Sequence, residues 1–496
     1  MIRASLDPAA LGGSAALVAT TTLLAALAPV PLAARQTAAP PTGRAAVEAL
    51  SFEPLIFEPP EVSRRDVGGA RVLFLEERAL PLVTVAAYVE GGYGLFDRSE
   101  YGAALGLPGL LRYGGTRTRA PDEVDRTLER YALQVAFGTA GGSVTTSINT
   151  LTEHLPVALD LWGEMLAEPG FDEAEIAAWR SRAMEGVRRR VDDPARLAYS
   201  ELNRLLFGDH PVGWETEAAD LDPERLTPAA FRRMHARIVC RENLVLGVTG
   251  DASWPEVEPL IRRLVERIAP CAEPLPDPPI PEIRRLPGIY LVEKEIEQSV
   301  VVMAHPTDVR LADDPEYFAA MLGNSILGAG GFSSRMLGRV RTEEGFAYSA
   351  TSLWTTPRTH EGIVGATTRT RPENTAPAIE LILSTMRELT VAPPTEEEVT
   401  TTVERIVNGF VFNFDTPSSI VGRTMVYLAQ ELPEDWLQRY LAGVQRVTPE
   451  EIRDVFAEHL DPSAMTILVV GDPARIRTDL ERLGPVTVLE VRGGPG

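Results

Sequence analysis

Arg341 and Tyr348 stand seven residues apart within Gly328-Ala329-Gly330-Gly331-Phe332-Ser333-Ser334-Arg335-Met336-Leu337-Gly338-Arg339-Val340-Arg341-Thr342-Glu343-Glu344-Gly345-Phe346-Ala347-Tyr348-Ser349. A guanidinium fork and a phenol hydroxyl are both hydrogen-bond donors. Brought to one spot, they could hold a peptide carbonyl or a developing oxyanion. Local chemistry alone favours a plainer reading, in which Arg341 pairs with a surface acid and Tyr348 is a half-buried strand residue. Other catalytic constellations are missing. The six histidines are His154, His210, His235, His305, His360 and His459, and no two lie three or four apart. Sequence neighbours therefore cannot build a helical two-histidine zinc site. No nucleophile elbow or dinucleotide fingerprint is present, and the glycine run before Phe332 lacks the lysine of a phosphate loop.

The elements around the pair follow from spacing. The glycine loop leads into a helix with Met336, Leu337 and Val340 on one face. A turn at Gly345 leads into a strand, Phe346 to Trp354. Arg341 and Tyr348 thus flank one helix–strand turn.

The same elements occur twice. Thr227-Pro228 opens a helix through Phe231, Met234 and Ile238, followed by a strand from Leu244 that closes on Gly250-Asp251. Thr448-Pro449 opens the same pattern through Ile452, Val455 and His459, closing on Gly471-Asp472 at a constant offset of 221. Glu100-Tyr101, Ala103-Ala104 and Gly114-Gly115 recur at offset 216 as Glu316-Tyr317, Ala319-Ala320 and Gly330-Gly331. Glu175-Ile176 recurs at offset 223 as Glu398-Val399. The chain reads as a duplication of a unit of about 215 residues. Each copy opens with two strand patterns, Arg71–Leu75 and Val83–Val89, then Gly288–Val292 and Ser299–Met303. A further strand follows, Ser143 to Thr150 in one copy and Phe346 to Trp354 in the other. Thr before Pro suits a helix N-cap and first turn. Paired strands with helices on one face give an α+β class.

Composition bounds the rest. The 496 residues carry 48 basic and 70 acidic side chains, a net charge of −22, which disfavours nucleic acid as a partner. Lys294 is the only lysine. Hydrophobic residues make up 44% of the chain, enough for real cores. Two cysteines, Cys240 and Cys271, are too few for a disulfide scaffold; they read as free thiols, or as one bridge in an oxidising compartment. The uncharged stretch from Leu11 to Ala34, ending in Pro and small residues, reads as a signal peptide over residues 1–34, with an uncleaved anchor as its alternative. Residues 35–52 read as an Ala/Pro-rich tether. Seven prolines fall within residues 270–287, which predicts an extended linker over 269–287. The copies then occupy 53–268 and 288–496.

The Arg341–Tyr348 stretch and the duplication together resemble the insulinase/pitrilysin family of zinc peptidases, which includes the mitochondrial processing peptidases. Pro169-Gly170-Phe171-Asp172, Leu206-Phe207-Gly208-Asp209-His210-Pro211 and both Gly-Asp strand ends also match. The resemblance spans roughly residues 53–490. It implies two tandem α/β-roll domains forming one half of a clamshell. Active members carry His-x-x-Glu-His just before a Gly-Thr. Counting back from Gly115-Thr116, those positions are Gly106, Gly109 and Leu110, none of which can bind zinc or act as a base. The downstream ligand glutamate would fall near Glu185 or Gly186. The arginine–tyrosine pair is intact. In active members it grips the substrate backbone opposite the zinc, and in two-subunit members one chain brings zinc and the other brings the pair. Gly328, Gly330, Gly331 and Phe332 resemble the substrate-contacting glycine-rich loop, and equally suit a tight turn before a helix.

The resemblance therefore implies an exported, periplasmic or extracytoplasmic subunit that binds no metal itself. It would grip extended peptides with Arg341, Tyr348 and the loop, beside a zinc-bearing partner. Two rivals are a scaffold or peptide-binding protein of the same fold, and a hydrolase with an unrecognised site.

Overall fold

The computed structural model describes residues 60–140 and 143–491. The expected signal peptide and tether lie outside the described residues. Two six-stranded mixed sheets organise the chain. The first uses β1 (Ser63–Val67), β2 (Ala70–Glu76), β3 (Leu82–Val89), β4 (Gln134–Ala140), β5 (Ser143–Leu151) and β6 (Leu244–Gly250). The second uses β7 (Gly288–Glu293), β8 (Ser299–Thr307), β9 (Ala347–Trp354), β10 (Gly362–Thr370), β11 (Thr466–Gly471) and β12 (Val486–Val488). Their orders are β1-β2-β6-β3-β5-β4 and β12-β7-β11-β8-β10-β9. Five positions correspond, including the parallel pairs β2–β6 and β7–β11. The duplication is thus built into the topology.

The Thr-Pro helix starts form as their residues require. Thr227 accepts from the Ala230 amide at 3.2 Å, and Thr448 exchanges bonds with Glu451 in a capping box. The helices Pro228–Ile238 and Pro449–His459 begin there.

Two expectations need correction. The sequence pairs Ser143–Thr150 with Phe346–Trp354 as equivalent strands, but the sheet order makes β5 the counterpart of β10, and β9 the counterpart of β4. The strands β4 and β10 escape a hydrophobicity search because QVAFGTA and GIVGATTRT interleave Gly, Ala and Thr among few large apolar residues. Nor do helices keep to one face of each sheet. The helix Pro194–Phe207, from the first half of the sequence, packs Leu197, Leu202 and Leu206 on Val300, Val302, Leu468 and Val470 of the second sheet. The helix Pro417–Ala429, from the second half, lays Val421 and Met425 on Leu73 and Val245 of the first. Gly247 makes room for it: a Cβ there would come within 2.6 Å of both Val421 and Met425. Each fully buried leucine stabilises by roughly 1.5–3 kcal/mol, so these exchanged helices tie the two halves of the chain together.

The proline-rich segment has no regular structure and is fastened down. Ile283 is buried beside the exchanged helix Pro194–Phe207, and the Arg284 amide donates to the Leu206 carbonyl at 2.8 Å. Cys271 is disulfide-bonded to Cys240.

Candidate functional site

The helix Pro315–Asn324 does not stop at Asn324 but widens into a π-helical turn, Ser325–Ala329. The glycine loop follows. Gly331 sits at φ +70°, a left-handed conformation in which a side chain is strained. Gly328 is pressed on β9, where a Cβ would meet the Ser352 amide at 2.4 Å. A Cβ at Gly330 would meet the Ser325 carbonyl at 2.3 Å. These three glycines are thus required by the turn and its packing. Phe332, by contrast, projects outward, 78% exposed.

Only Arg335–Leu337 of the expected helix is α-helical; Gly338–Glu343 forms a second π-helical turn that carries Arg341. Met336 and Val340 are fully buried and anchor it, with Leu337 half-buried. Gly345, at φ +65°, turns the chain into β9. The register then slips: Ser349 faces Arg369 and Ala347 faces Thr370, which leaves Tyr348 as the extra residue of a β-bulge. Ala347 and Ala350 both stay buried while Tyr348 turns out, 78% exposed. Bulges re-aim side chains in this way, and π-turns are frequent at functional sites.

The two irregularities bring three of the expected residues together. The Arg341 guanidinium carbon lies 4.4 Å from the Tyr348 ring centre and 4.9 Å from that of Phe332. Among the described residues no carboxylate pairs with Arg341. Its neighbours differ. Arg335 makes a two-pronged bridge to Glu398 at 2.6 and 2.7 Å, and Arg339 one to Glu388 at 2.6 Å twice. Two arginines of the segment are neutralised and hold it in place. The third is stacked on aromatic faces, which leaves its in-plane N–H donors free. Neither the surface ion pair nor the half-buried tyrosine of the plainer reading is what the chain adopts. Beside Tyr348 runs a groove of about 690 Å³ lined by Ser349, Thr351, Thr367 and Arg369, among others. Sequence reading missed these groove residues because β10 was not recognised; the alternation of Thr367 and Arg369 was the available signal.

The clamps give this region an acid dependence. The Arg335 guanidinium holds the Glu398 carboxyl below the usual carboxylate range, and Arg339 does the same for Glu388. A depressed carboxyl stabilises the fold above its unfolded pKa of about 4.3, and that stability is lost as pH falls through the lower folded value. The Glu388 side chain is 43% exposed and that of Glu398 30%, so screening limits the two bridges to about 1 kcal/mol together. The double variant Glu388→Gln/Glu398→Gln should be less stable than the parent by about that amount at pH 7. The difference should narrow in urea titrations as pH falls below the unfolded carboxyl value of about 4.3 and through the lower folded ones. A gap that persists at low pH would show that packing, not charge, is what was lost.

The expected zinc-motif positions lie on the helix Tyr101–Tyr113. Leu110 is buried in the first core at 1% exposure. A Cβ on Gly106 would already stand 3.1 Å from both Trp179 and Phe231, and one on Gly109 3.6 Å from Trp179. Aromatic rings fill the space that ligand side chains would need. Glu185 is held by Arg189 at 2.6 Å, and Gly186 offers no ligand. These residues do not fit a catalytic zinc.

Residues 225–406 match the family model described as peptidase M16 inactive domain. A Streptomyces coelicolor protein named an uncharacterized zinc protease is 23% identical over 399 residues, 78% of this chain and 84% of its own. The non-peptidase homolog YmxG of Helicobacter pylori is 21% identical over 404 residues, 81% of this chain and 91% of its own. The chain thus resembles M16-type peptidases, with the family match confined to residues 225–406. The description of that model as inactive accords with the absence of ligand side chains at Gly106, Gly109 and Leu110, which lie outside the matched residues. A solved M16 inactive domain from Pseudomonas fluorescens shares the fold with a TM-score of 0.74 at 24% identity, covering 83% of this chain and 98% of that one.

Proposed function

We propose that this chain is the zinc-less, substrate-gripping subunit of a two-chain M16 metallopeptidase. The observation that carries the reading is the unpaired Arg341 stacked on two exposed aromatic rings. Two large rings left exposed around one cation form an apolar patch with a charged centre, and aromatic residues and arginine dominate binding hot spots. The partner would supply the zinc-activated water. This chain would supply donors: the Arg341 fork and the Tyr348 hydroxyl on the carbonyl region of an extended peptide, with the peptide running over the polar groove of Thr351 and Thr367. Phe332 would cover the peptide from the loop side.

The reading includes export. The Cys240–Cys271 bridge supports an oxidising compartment, since cytosolic thiols are kept reduced. No helix among the described residues is long and apolar enough to cross a membrane.

The test is to capture the native complex from source cells and identify its chains by mass spectrometry. A stoichiometric partner carrying His-x-x-Glu-His is expected. Recovery of this chain alone, or with unrelated envelope proteins, would favour the scaffold reading, which the non-peptidase name of the Helicobacter relative supports.

A further inference from the structure

The two halves of the chain act as controls for each other, and at one place they differ in a way that calls for a cation. In the first half, Glu100 at the N-terminal edge of its helix pairs with Arg237 of the helix Pro228–Ile238 at 3.3 Å. The next residue, Ile238, is a core side chain at 1% exposure. By the offsets of 216 and 221, the second half has Glu316 in place of Glu100, Glu458 in place of Arg237, and His459 in place of Ile238. The glutamate is kept, its arginine partner becomes a second glutamate, and the buried aliphatic residue becomes a histidine. An ion pair has been exchanged for two carboxylates and an imidazole.

Their geometry is that of a ligand set. The potential ligand atoms of Glu316, Glu458 and His459 all lie within 4.8 Å of one another. The His459 side chain is only 6% exposed, with Nε2 2.5 Å from Glu316 Oε1. Its other nitrogen, Nδ1, is 2.7 Å from Asp308 Oδ1. A carboxylate on the far nitrogen fixes the tautomer and turns the second nitrogen toward a metal, as outer-shell acids do for metal-bound histidines. Glu458 is exposed, which leaves a water position open beside the three protein ligands.

We propose that His459, Glu316 and Glu458 form a non-catalytic site for a zinc-class divalent cation, with Asp308 orienting the histidine. One imidazole and two carboxylates suit zinc or manganese better than calcium or magnesium. Tetrahedral zinc would set the ligand atoms about 3.3 Å apart, so His459 and Glu316 open slightly while Glu458 closes. Glu316, with 43% side-chain exposure, has room to do so. The bound ion would pin the end of the helix Pro449–His459 to the start of the helix Pro315–Asn324, whose far end becomes the glycine loop. The site is independent of the gripping role.

The full chain, stripped by a chelator and titrated calorimetrically with Zn²⁺ alone, should bind one equivalent. The deciding variant is Glu458→Arg, which restores the charge pattern of the first half on an exposed position and so keeps the fold. It should bind Zn²⁺ at least about a hundredfold more weakly, and Asp308→Asn about tenfold to a hundredfold more weakly. Zinc should raise the melting temperature of the parent chain and not that of Glu458→Arg. Absence of one-equivalent binding, or equal binding by the parent and Glu458→Arg, would overturn the site.

Discussion

On the proposed two-chain reading, replacing Tyr348 with Phe should lower turnover of the complex about a hundredfold, while the affinity between its chains stays within about twofold. The substitution is chosen for what it keeps. The ring remains, so the contact with Arg341 at 4.4 Å remains, and only the hydroxyl donor is lost. A well-placed donor to a developing oxyanion typically accounts for about 3 kcal/mol of barrier, which is where the hundredfold comes from. The same loss should appear in kcat and in kcat/KM, because the bond is strongest in the transition state. Arg341→Lys should behave similarly, since a lysine keeps the charge but not the planar fork or its stacking between Tyr348 and Phe332. Steady-state kinetics on the reconstituted complex, beside a titration of assembly, separates the outcomes. A raised KM with unchanged kcat would move Tyr348 from the transition state to ground-state binding, and unchanged kinetics would sink its role.

What the sequence could and could not announce is visible in this same pair. The seven-residue spacing, the Gly345 turn and the strand were legible, because turn chemistry and strand composition are local. That Arg341 is unpaired was not legible. It depends on Glu398 taking Arg335 and Glu388 taking Arg339, across 63 and 49 residues of chain. The bulge at Tyr348 was hidden for a related reason, since it exists only relative to the register of β10. At the fold level, the duplication was legible because paired motifs keep their offsets. The exchange of the helices Pro194–Phe207 and Pro417–Ala429 was not, because an apolar helix face does not say which sheet it will cover. The site of His459 shows the same limit in reverse. As an isolated histidine it carried no signal: beyond the adjacent Glu458, its partners Glu316 and Asp308 are 143 and 151 residues away.

Restoring the lost motif should fail. The triple variant Gly106→His/Gly109→Glu/Leu110→His supplies the three missing motif side chains, yet it should bind no catalytic zinc and should lose stability, by about 4 kcal/mol at mid-range. Two helix glycines replaced by other residues return about 0.5–1 kcal/mol each. Against that gain, an imidazole on residue 106 must enter space where a bare Cβ is already 3.1 Å from Trp179 and Phe231, and overpacking of that kind costs about 1–3 kcal/mol. A histidine at residue 110, where Leu110 is 1% exposed, removes apolar contacts from the core and buries ring nitrogens, at a further cost of about 2–5 kcal/mol. Zinc cannot offset these losses unless its ligands converge, and the Trp179 ring stands 3.1 Å from a Cβ at Gly106 and 3.6 Å from one at Gly109 while Arg189 holds Glu185 at 2.6 Å. Adding Trp179→Ala should recover part of the stability by relieving the overlap. Chemical denaturation and zinc analysis of the dialysed triple variant are sufficient measurements. One tightly held zinc beyond any that the parent chain holds, at unchanged stability, would mean that the first half still contains a metal-ready cleft, and that only its ligands, not its shape, keep it from holding the metal.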